Sequence, residues 1–278
     1  MKICAIVLSA GRSKRFKSSI PKYLHSIAGQ SILDYNLDAI KKIKKIDKTQ
    51  IISNKENKNF FIEKGISPFI QDPIDGTGGA LKQIYDAKKL SSDYYLVILS
   101  DTPIFDYKIL NQFINKSISS KTDLSVLSQE IANPHGYGRV IMQDKKFLSI
   151  VEENDCNVNQ KKIKLINTGI FFLSKKAISN INLIKKNSQK KEFYITDLIE
   201  ISHQKKLKVN AFQNHGLPIQ GVNTKPELQD LEDFYQIYLK EKLIKNGVRI
   251  IQPDTVYIEN NVKISDGVII EPNVVIKK

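Results

Sequence analysis

Two kinds of segment, distinguished by their pattern of apolar and polar positions, alternate along the first two-thirds of the chain. Short apolar runs, typical of buried strands, are separated by longer amphipathic stretches that are typical of helices. This alternation predicts an α/β domain with a largely parallel sheet. Tyr95–Leu99 is apolar on both faces, as expected of a central parallel strand. The predicted strands are Ile3–Leu8, Gln50–Ser53, Tyr95–Leu99, Leu124–Leu127 and Gly169–Leu173, and the predicted helices are Ile32–Ile43, Gly78–Lys88 and Tyr107–Ser117.

A separate helix is predicted over Thr224–Asn246. Thr224 is a favourable N-cap, Pro226 falls in the first turn, and Gly247 follows as a stop. Apolar residues recur at helical spacing, so one face of this helix should be buried. These residues are Leu228, Leu231, Tyr235, Tyr238 and Leu239.

The pattern changes after this helix, where valine and isoleucine each recur every six residues. The two series are Val256, Val262, Val268 and Val274, and Ile258, Ile264, Ile270 and Ile276. A sustained six-residue period indicates the start of a left-handed parallel β-helix. One coil takes about three hexapeptides, so we expect this β-helix to be cut short. The predicted domains are therefore an α/β domain (1–223), a linker helix (224–247) and a truncated β-helix (248–278).

Composition is that of a soluble globular protein, with 41% hydrophobic and 26% charged residues. No apolar run reaches the length of a membrane span, and the apolar amino terminus is better explained as a first strand than as a signal peptide. A cytoplasmic protein is therefore expected.

The formal charge is +14, but the lysines are spread over predicted helices without a nucleic-acid motif. A solvated basic surface is favoured over nucleic-acid binding. Cys4 and Cys156 lack ligand-type neighbours, which argues against a disulfide framework or a zinc site.

The loop after the first predicted strand has features suited to phosphate binding. Gly11 allows close approach of the backbone to a phosphate, and Arg15 and Lys22 supply two cations after it. Backbone N–H groups and cations are what a triphosphate needs while charge builds on its α-phosphoryl oxygens. Taken alone, the glycine would indicate only an ordinary strand–loop junction, and the spacing is not that of a P-loop.

Asp101 comes directly after the strongly apolar strand Tyr95–Leu99. Ligands collect at the carboxyl ends of strands in open α/β sheets, which makes this aspartate a candidate for binding. A lone aspartate in that place is ordinarily the N-cap of the following helix, so both interpretations stand.

These segments resemble the sugar nucleotidyltransferases, and most of all the uridyltransferase domain of the GlmU family. That family comprises bacterial N-acetylglucosamine-1-phosphate uridyltransferases that are also glucosamine-1-phosphate acetyltransferases. The likeness covers essentially the whole chain in order, and the six-residue repeat falls where the family's acetyltransferase β-helix begins. The matching segments are Leu8–Phe16, Pro21–Gly29, Gln71 with Asp75–Gly78, Leu99–Pro103, Asn133–Arg139, Ile150–Glu152, Ile166–Gly169, Glu192–Asp197 and Gly221–Asn223.

The resemblance implies a role for each segment. Arg15 and Lys22 would bind the triphosphate and stabilise the transition state, and Asp101 would act with Asn223 to hold Mg²⁺. This favours a metal ligand over an N-cap at Asp101, because Mg²⁺ takes few protein ligands and completes its shell with water and phosphate oxygens. The implied substrate-binding residues are Leu8, Ser9, Ala10, Gly11, Lys22, Gln71, Gly76, Thr77, Leu99, Ser100, Asp101, Gly138, Glu152, Asn167 and Asn223.

In the family, the residues that bind the base are distinct from those that bind the sugar. Gln71 and the G-T-G turn at Gly76 grip the uracil, whereas Glu152 and Asn167 contact the sugar. Judged on their own, Glu152 would be a solvated charge beside Glu153, and Asn167 would be a turn residue.

The expected reaction joins UTP to N-acetylglucosamine 1-phosphate, giving UDP-N-acetylglucosamine for peptidoglycan and lipopolysaccharide, and releases pyrophosphate. Two alternatives remain open: the same chemistry on another sugar 1-phosphate or nucleotide, and a non-catalytic protein that binds nucleotide sugars. In the family the acetyl-CoA site lies between β-helix coils of neighbouring subunits. The predicted truncated β-helix lacks most of those coils, so acetyltransferase activity is not expected. The oligomeric state is left open, because the same coils form the family's trimer.

Several positions depart from the family pattern. Ser13 and Lys14 stand where the family usually has Gly-Thr, and Ser100 replaces a glycine beside Asp101. Leu99 replaces a usual tyrosine, and Gly79 stands where a histidine is common. These changes leave the charged residues of the expected site intact, but they bear on the identity of the sugar.

Overall fold

The computed structural model of the chain describes residues 1–12, 14–187 and 191–278. The chain forms two compact units, the first comprising residues 1–12 and 36–221 and the second the described residues of 13–35 and 222–278. No helix in the described ranges combines the length and the apolarity that a bilayer span requires. Ser13, one of the departures from the family pattern, lies outside the described residues.

Strands and helices alternate along most of the chain. The strands are β1 Ile3–Ser9, β2 Ser26–Ile27, β3 Gln30–Ser31, β4 Lys48–Ser53, β5 Phe69–Ile70, β6 Tyr94–Leu99, β7 Leu124–Glu130, β8 Arg139–Gln143, β9 Lys146–Val151, β10 Leu165–Ser174, β11 Val209–Asn214, β12 Arg249–Ile250, β13 Tyr257–Ile258, β14 Ile269–Ile270 and β15 Val275–Ile276. The α-helices are α1 Ile32–Lys41, α2 Lys58–Glu63, α3 Thr77–Asp86, α4 Tyr107–Ser119, α5 Val158–Lys161, α6 Lys175–Ile178, α7 Asp197–Gln204 and α8 Lys225–Lys245.

One mixed sheet dominates the first unit, with strands in the order β11-β7-β10-β6-β1-β4-β5. β1 pairs in parallel with β4 and β6, and β4 pairs in parallel with β5. β10 runs antiparallel between β6 and β7, and the antiparallel pair β8–β9 extends from β10. The predicted Rossmann-like fold with a mixed sheet is confirmed.

The core of the first unit lies around β1. All seven residues of β1 are buried, because helices cover a parallel sheet on both faces. On one face Ile6 belongs to a cluster with Leu81 and Ile84 of α3 and with Leu198 of α7. α3 follows β5 and α4 follows β6, so both helices begin near the carboxyl ends of the parallel strands. The fold thus directs these loop–helix junctions to one edge of the sheet.

All five strands and all three helices predicted for the α/β domain are present, with shifts at their ends. The sequence analysis did not predict β5, β8, β9 or β11. β5 is only two residues long, and β11 is half-buried along most of its length, so neither carries a continuous apolar run. β8 and β9 are partly exposed and lack the same signal.

The second unit is organised around α8, which confirms the helix predicted over Thr224–Asn246. Thr224 is its N-cap, and Glu227 completes a capping box. Leu231 and Tyr235 are buried as predicted, and they share the buried face with Gln236 and Lys240. The amide of Gln236 donates to the Ile258 carbonyl at 2.8 Å and accepts from the Ile258 N–H at 3.1 Å. A polar side chain therefore joins α8 to the segment that follows it.

The six-residue repeat forms short parallel strand pairs. β12 pairs with β14 and β13 with β15, and each pair joins segments separated by about three repeats. Val256, Ile258 and Ile270, all members of the predicted apolar series, form a small buried cluster with Val248. The left-handed β-helix itself stays a prediction.

Candidate active site

Two neighbouring parallel strands bring the predicted phosphate loop and Asp101 to the same edge of the sheet. Leu8 of β1 is in register with Leu99 of β6, and the Ser100 N–H donates to the Leu8 carbonyl at 3.0 Å. Gly11 and Asp101 follow these strands directly. The backbone ladder therefore sets the distance between the two predicted site segments, and ligands collect at such an edge.

The loop after β1 is tied to the neighbouring strand by a buried asparagine. Asn54, which follows β4, donates its Nδ2 to the Ala10 carbonyl at 3.0 Å, and its Oδ1 accepts from the Asn57 N–H at 2.9 Å. Apart from Gly11 and its two chain neighbours, none of the described residues has an atom within 4 Å of a Cβ added at Gly11. The loop is therefore fixed at Ala10 and open at Gly11, where a phosphate can approach the backbone.

A second buried asparagine holds the segment that carries Asp101. Asn36 of α1 is fully buried. Its Nδ2 donates to the Ser100 carbonyl at 3.4 Å, and its Oδ1 accepts from the Ile104 N–H at 3.1 Å. The Thr102 hydroxyl donates to Asp101 Oδ1 at 3.2 Å. The half-buried Asp101 carboxylate is thus presented on a loop that is fixed from both sides. The sequence analysis missed Asn36 and Asn54.

Gln71, predicted to contact the base, also lies at this edge. It follows β5, and its N–H donates to the Ser53 carbonyl at the end of β4 at 2.8 Å. The side chain is 3% exposed, and its Nε2 donates to Asp75 Oδ1 at 2.9 Å and to the Gly76 carbonyl at 3.0 Å. The amide is thus held in one orientation by two acceptors.

The G-T-G turn that begins α3 packs closely against the segment before α7. Gly76 has φ +95°, and a Cβ there would lie 2.5 Å from the Phe193 carbonyl oxygen, so only glycine fits. The Gly78 N–H donates to the same carbonyl at 2.8 Å. The Ile195 N–H donates to Thr77 Oγ1 at 3.2 Å. Two of the predicted motifs are therefore in contact.

Gly138, predicted to bind substrate, forms one cluster with Glu152 and Asn167, which are predicted to contact the sugar. The Asn167 N–H donates to the Gly138 carbonyl at 2.9 Å. A Cβ at Gly138 would lie 3.4 Å from Glu152 Oε2, so the carboxylate passes close to this backbone. The Thr196 hydroxyl donates to Glu152 Oε1 at 3.1 Å and orients it. Thr196 falls in a matching motif, but the sequence analysis gave it no role.

This cluster adjoins the segment that carries Asp101. Gly169 has φ +78°, and a Cβ there would lie 2.5 Å from Leu99 Cδ1. The Gly169 N–H in turn donates to Asn167 Oδ1 at 2.9 Å. Within the first unit, the predicted sugar, base and phosphate residues therefore share one edge of the sheet.

A buried ion pair supports the turn at Gly138. Arg139 is 1% exposed, and its guanidinium contacts Glu153 at 2.7 Å and the Tyr137 carbonyl. Burial would raise the pKa of Glu153, but the hydrogen bonds from Arg139 and from the Gly136 N–H outweigh it and lower that pKa. Arg139 therefore links the turn to the residues that follow Glu152.

The surroundings of Glu152 are acidic. Burial raises the pKa of Asp197 to about 6, with repulsion from Glu152, Glu200 and Asp155 adding to it. Negative charge here suits hydroxyl groups, which donate to carboxylates, better than it suits phosphate. This agrees with the assignment of the cluster to the sugar rather than to its phosphate.

The second unit brings together three other predicted residues. Asn223 Oδ1 accepts from Lys22 Nζ at 3.0 Å and from Arg15 Nη2 at 3.1 Å. Arg15 is exposed, and Lys22 is half-buried. The amide oxygen of Asn223 thus accepts from two cationic groups. Cationic groups of this type are also the ones that contact phosphate.

The capping box of α8 positions Asn223. Glu227 Oε2 accepts from the Asn223 N–H at 2.6 Å and from the Thr224 N–H at 3.0 Å, and Thr224 Oγ1 accepts from the Glu227 N–H at 3.4 Å. The backbone of Asn223 is thereby anchored to the helix. Asp101 belongs to the first unit and Asn223 to the second, so their predicted sharing of one Mg²⁺ stays a prediction.

Residues 5–156 match the family described as the MobA-like NTP transferase domain, and this range covers more than half of the chain. The chain belongs to this family. The matched range holds the phosphate loop, Gln71, Asp101, Gly138 and Glu152, so the NTP transferase domain contains most of the sheet-edge site.

When the whole chain of this NTP transferase is compared with known proteins, its relatives match it beyond residues 5–156 as well. The chain is 32% identical to the bifunctional protein GlmU of Alkaliphilus metalliredigens and 33% identical to that of Clostridioides difficile, with 100% of the chain aligned in both cases. The chain spans 61% of the length of each relative. The resemblance to GlmU is therefore confirmed, over the part of those proteins that the chain covers.

A crystal structure shows the same fold. It is a protein of Bacillus anthracis assigned as a glucose-1-phosphate thymidylyltransferase, in complex with a sucrose. The TM-score is 0.69 at 22% identity, and the match covers 84% of this chain and 94% of the other. The two proteins thus share the fold.

Proposed function

We propose that the chain transfers a uridylyl group from UTP to N-acetylglucosamine 1-phosphate, forming UDP-N-acetylglucosamine and pyrophosphate. The observation that carries the proposal is the register of β1 with β6, which brings the Gly11 loop and Asp101 to one edge of the sheet. The resemblance to the GlmU uridyltransferase domain supports the choice of UTP and of this sugar phosphate. The family supports the broader class of nucleotidyltransferase.

In the proposed reaction an oxygen of the sugar phosphate attacks the α-phosphorus of UTP in line, and pyrophosphate leaves. One P–O bond forms and one breaks, so no covalent enzyme intermediate is needed. The protein has little chemistry to perform beyond positioning and charge stabilisation. Backbone N–H groups at Gly11 and the cations of Arg15 and Lys22 would stabilise the charge that develops on the phosphoryl oxygens.

The candidate metal ligands fit Mg²⁺. Asp101 offers a carboxylate, and Asn223 offers an amide oxygen that would exchange its hydrogen bonds from Lys22 and Arg15 for the metal once phosphate binds those two cations. Such hard oxygen donors suit Mg²⁺, which usually keeps water and phosphate oxygens as its other ligands. Among the described residues there is no group of three or more His, Cys, Asp or Glu side chains that could hold a metal ion, so the metal proposal depends on Asp101 and Asn223 together with the substrate's phosphates. Bound Mg²⁺ supplies charge neutralisation between the phosphates.

At the sugar end, Glu152 would accept hydrogen bonds from sugar hydroxyl groups and Asn167 would bind beside it. The Thr196 hydroxyl holds Glu152 Oε1 at 3.1 Å, so the carboxylate is oriented before the substrate binds. Preorganised polar groups of this kind give specificity, because a substrate that lacks the matching hydroxyl leaves them unpaired.

A second candidate function keeps the chemistry and changes the substrates. Leu99 replaces the tyrosine usual in the GlmU family, and it packs against Gly169 beside the proposed sugar cluster. The fold is shared with a protein assigned as a glucose-1-phosphate thymidylyltransferase. These observations favour tests with glucose 1-phosphate and with thymidine triphosphate.

A substrate panel tests the proposal. The purified chain is given UTP, CTP, dTTP, ATP or GTP with N-acetylglucosamine 1-phosphate, glucosamine 1-phosphate or glucose 1-phosphate, and pyrophosphate release is measured with and without Mg²⁺. Turnover should be fastest with UTP and N-acetylglucosamine 1-phosphate and should require Mg²⁺. A preference for another pair supports the second candidate. Binding without any pyrophosphate release would point to a non-catalytic nucleotide-sugar protein.

The setting of the reaction belongs to the same proposal. The product would supply peptidoglycan and lipopolysaccharide synthesis, as in the GlmU family. The reaction would take place in the cytoplasm, where nucleoside triphosphates are available.

A further inference from the structure

An aspartate just before α3, Asp75, occupies the space beside Gly79 in the first turn of that helix. A Cβ added at Gly79 would lie 1.9 Å from Asp75 Oδ1 and 2.5 Å from Asp75 Cγ. The Asp75 carboxylate therefore fills the place that a side chain at position 79 would need. The absence of a side chain at Gly79 is what allows Asp75 to fold over the first turn of the helix.

The Asp75 carboxylate binds two glutamine amides. Its Oδ1 accepts from Gln71 Nε2 at 2.9 Å and from Gln83 Nε2 at 3.3 Å. Gln83 is itself fixed, because its Nε2 donates to the Pro73 carbonyl at 2.8 Å and its Oε1 accepts from the Asp72 N–H at 2.8 Å. Asp75 is therefore the hub of a network in which each amide has one orientation.

The network decides which atom Gln71 offers to a ligand. Its Nε2 faces Asp75 Oδ1 and the Gly76 carbonyl, and neither of these oxygens can donate a hydrogen bond. Turning the amide over would place Gln71 Oε1 against both oxygens, which is repulsive. Oε1, on the other side of the amide, is thus the atom positioned to accept from a ligand.

We infer that Asp75 is a positioning residue that locks Gln71 as a hydrogen-bond acceptor and so selects a base with an imide N–H. The inference rests on the proposed function, in which Gln71 contacts the base. Uracil and thymine carry a hydrogen on N3, whereas N3 of cytosine is an acceptor and would be repelled by Oε1. Gly79 is required for the same hydrogen-bond network, because it leaves room for the Asp75 carboxylate.

Releasing the amide should change selectivity more than catalysis. Without Asp75, only the Gly76 carbonyl still opposes the turned amide, so Gln71 can more easily donate Nε2 to N3 of cytosine, and CTP gains a hydrogen bond that UTP loses. Sites built on a fixed hydrogen bond discriminate strongly, because the wrong partner leaves a buried group unpaired. A general loss of structure would instead lower activity with both nucleotides by the same factor.

The test compares kcat/KM for UTP and for CTP, at a fixed saturating sugar 1-phosphate, in the wild type, Asp75→Ala and Asp75→Asn. We expect Asp75→Ala to lower the UTP/CTP selectivity about tenfold or more, mainly through KM. Asp75→Asn keeps an oxygen in the same place and should retain most of the selectivity. Asp86→Ala, an exposed aspartate at the end of α3, is the matched control and should behave as wild type.

Gly79→Ala gives a second and independent test. The added methyl group should displace the Asp75 carboxylate and lower the selectivity by a similar factor. In the Asp75→Ala background the same methyl group should cost little more, so the two effects should not add. Circular dichroism and urea unfolding show whether each variant is folded before its kinetics are compared.

The outcomes separate the two proposals. If the wild type releases no pyrophosphate with UTP and prefers no imide base, the proposed function fails. If the wild type prefers UTP but folded Asp75→Ala and Gly79→Ala keep its UTP/CTP ratio, the function stands and the role of Asp75 is wrong. A selectivity that falls in Asp75→Ala and returns in Asp75→Asn supports the inference.

Discussion

The sheet edge of the first unit and the Asn223 cluster of the second are held in different ways. At the sheet edge, the Gly11 loop and Asp101 are placed by the backbone ladder between β1 and β6, six register pairs long. In the Asn223 cluster, one amide oxygen accepts from Lys22 and Arg15, which come from a distant part of the chain. One region is thus built by backbone register and the other by a few side chains.

This difference predicts different responses to substitution. The ladder of backbone hydrogen bonds between β1 and β6 does not depend on the Asp101 side chain, so a substitution at Asp101 should change chemistry and leave the structure intact. A cluster held by two or three side chains loses its geometry when one of them is removed. Stability and activity should therefore separate at Asp101 and change together near Asn223.

The largest effect is expected from Asp101→Asn. The substitution keeps the shape of the side chain but removes the charge proposed to bind Mg²⁺, so kcat/KM should fall about a thousandfold or more, which is roughly 4 kcal/mol of transition-state stabilisation. Stability in urea should change by no more than about 0.5 kcal/mol. Pyrophosphate release and urea unfolding are measured on the same preparation.

Asp144→Asn is the matched control for this change. Asp144 is exposed in the turn between β8 and β9, and asparagine tolerates its positive φ. It should keep wild-type activity and stability. Activity of Asp101→Asn within tenfold of wild type would rule out the metal role.

The next largest effect is expected from Arg139→Met, and it falls on stability. Arg139 is 1% exposed, and its removal leaves the half-buried Glu153 carboxylate without its cation. Removing one partner of a buried pair costs about 3 kcal/mol or more. The change should appear as a lower urea midpoint, whereas the exposed Arg249→Met should show almost none. In the double variant with Glu153→Met much of the loss should be recovered.

Lys22→Met should lower kcat/KM about a hundredfold, or roughly 2.7 kcal/mol, because a cation proposed to stabilise the transition state is lost. Methionine keeps the apolar stem, so the change removes only the ammonium group with its charge and its hydrogen bond to Asn223 Oδ1. The exposed Lys44→Met removes the same charge from the surface and serves as the control. Equal losses in both variants would mean that the overall positive field, rather than Lys22, accounts for the effect.

Much of the fold could be predicted from the sequence, because segments with a strong apolar pattern form the predicted strand or helix in the folded chain. β1 and β6 are continuously apolar, and the structure places both at the centre of the sheet, as expected for parallel strands covered on two faces. α8 is equally plain, since Thr224 and Glu227 mark its start. The short strand β5 carries no such signal, because its pairing with β4 depends on the rest of the sheet.

The supporting residues of the site were harder to predict, because their partners lie far away in the sequence. Asn54 binds Ala10, and Asn36 binds Ser100. For Asn36 a signal was present: it falls on the apolar face of α1 between Leu33 and Ile40, where an amide needs a buried partner. The signal says that a partner exists but not which one. Only the folded chain identifies it as the Asp101 segment.

The smallest expected effect tests the side-chain-held region directly. Thr224→Ala removes the N-cap oxygen that accepts from the Glu227 N–H, and the loss of such a cap costs about 1 kcal/mol. The Glu227 carboxylate, which holds the Asn223 N–H, is less well fixed when its own backbone loses this cap, so kcat/KM should fall severalfold. Ser174→Ala removes the cap of α6, whose hydroxyl accepts from the Ala177 N–H at 3.2 Å, and should lower stability without changing activity. If the Ser174 variant loses as much activity as the Thr224 variant, the effect is a general one of stability. If only Thr224→Ala loses activity, the capping box of α8 is part of what makes Asn223 a binding residue.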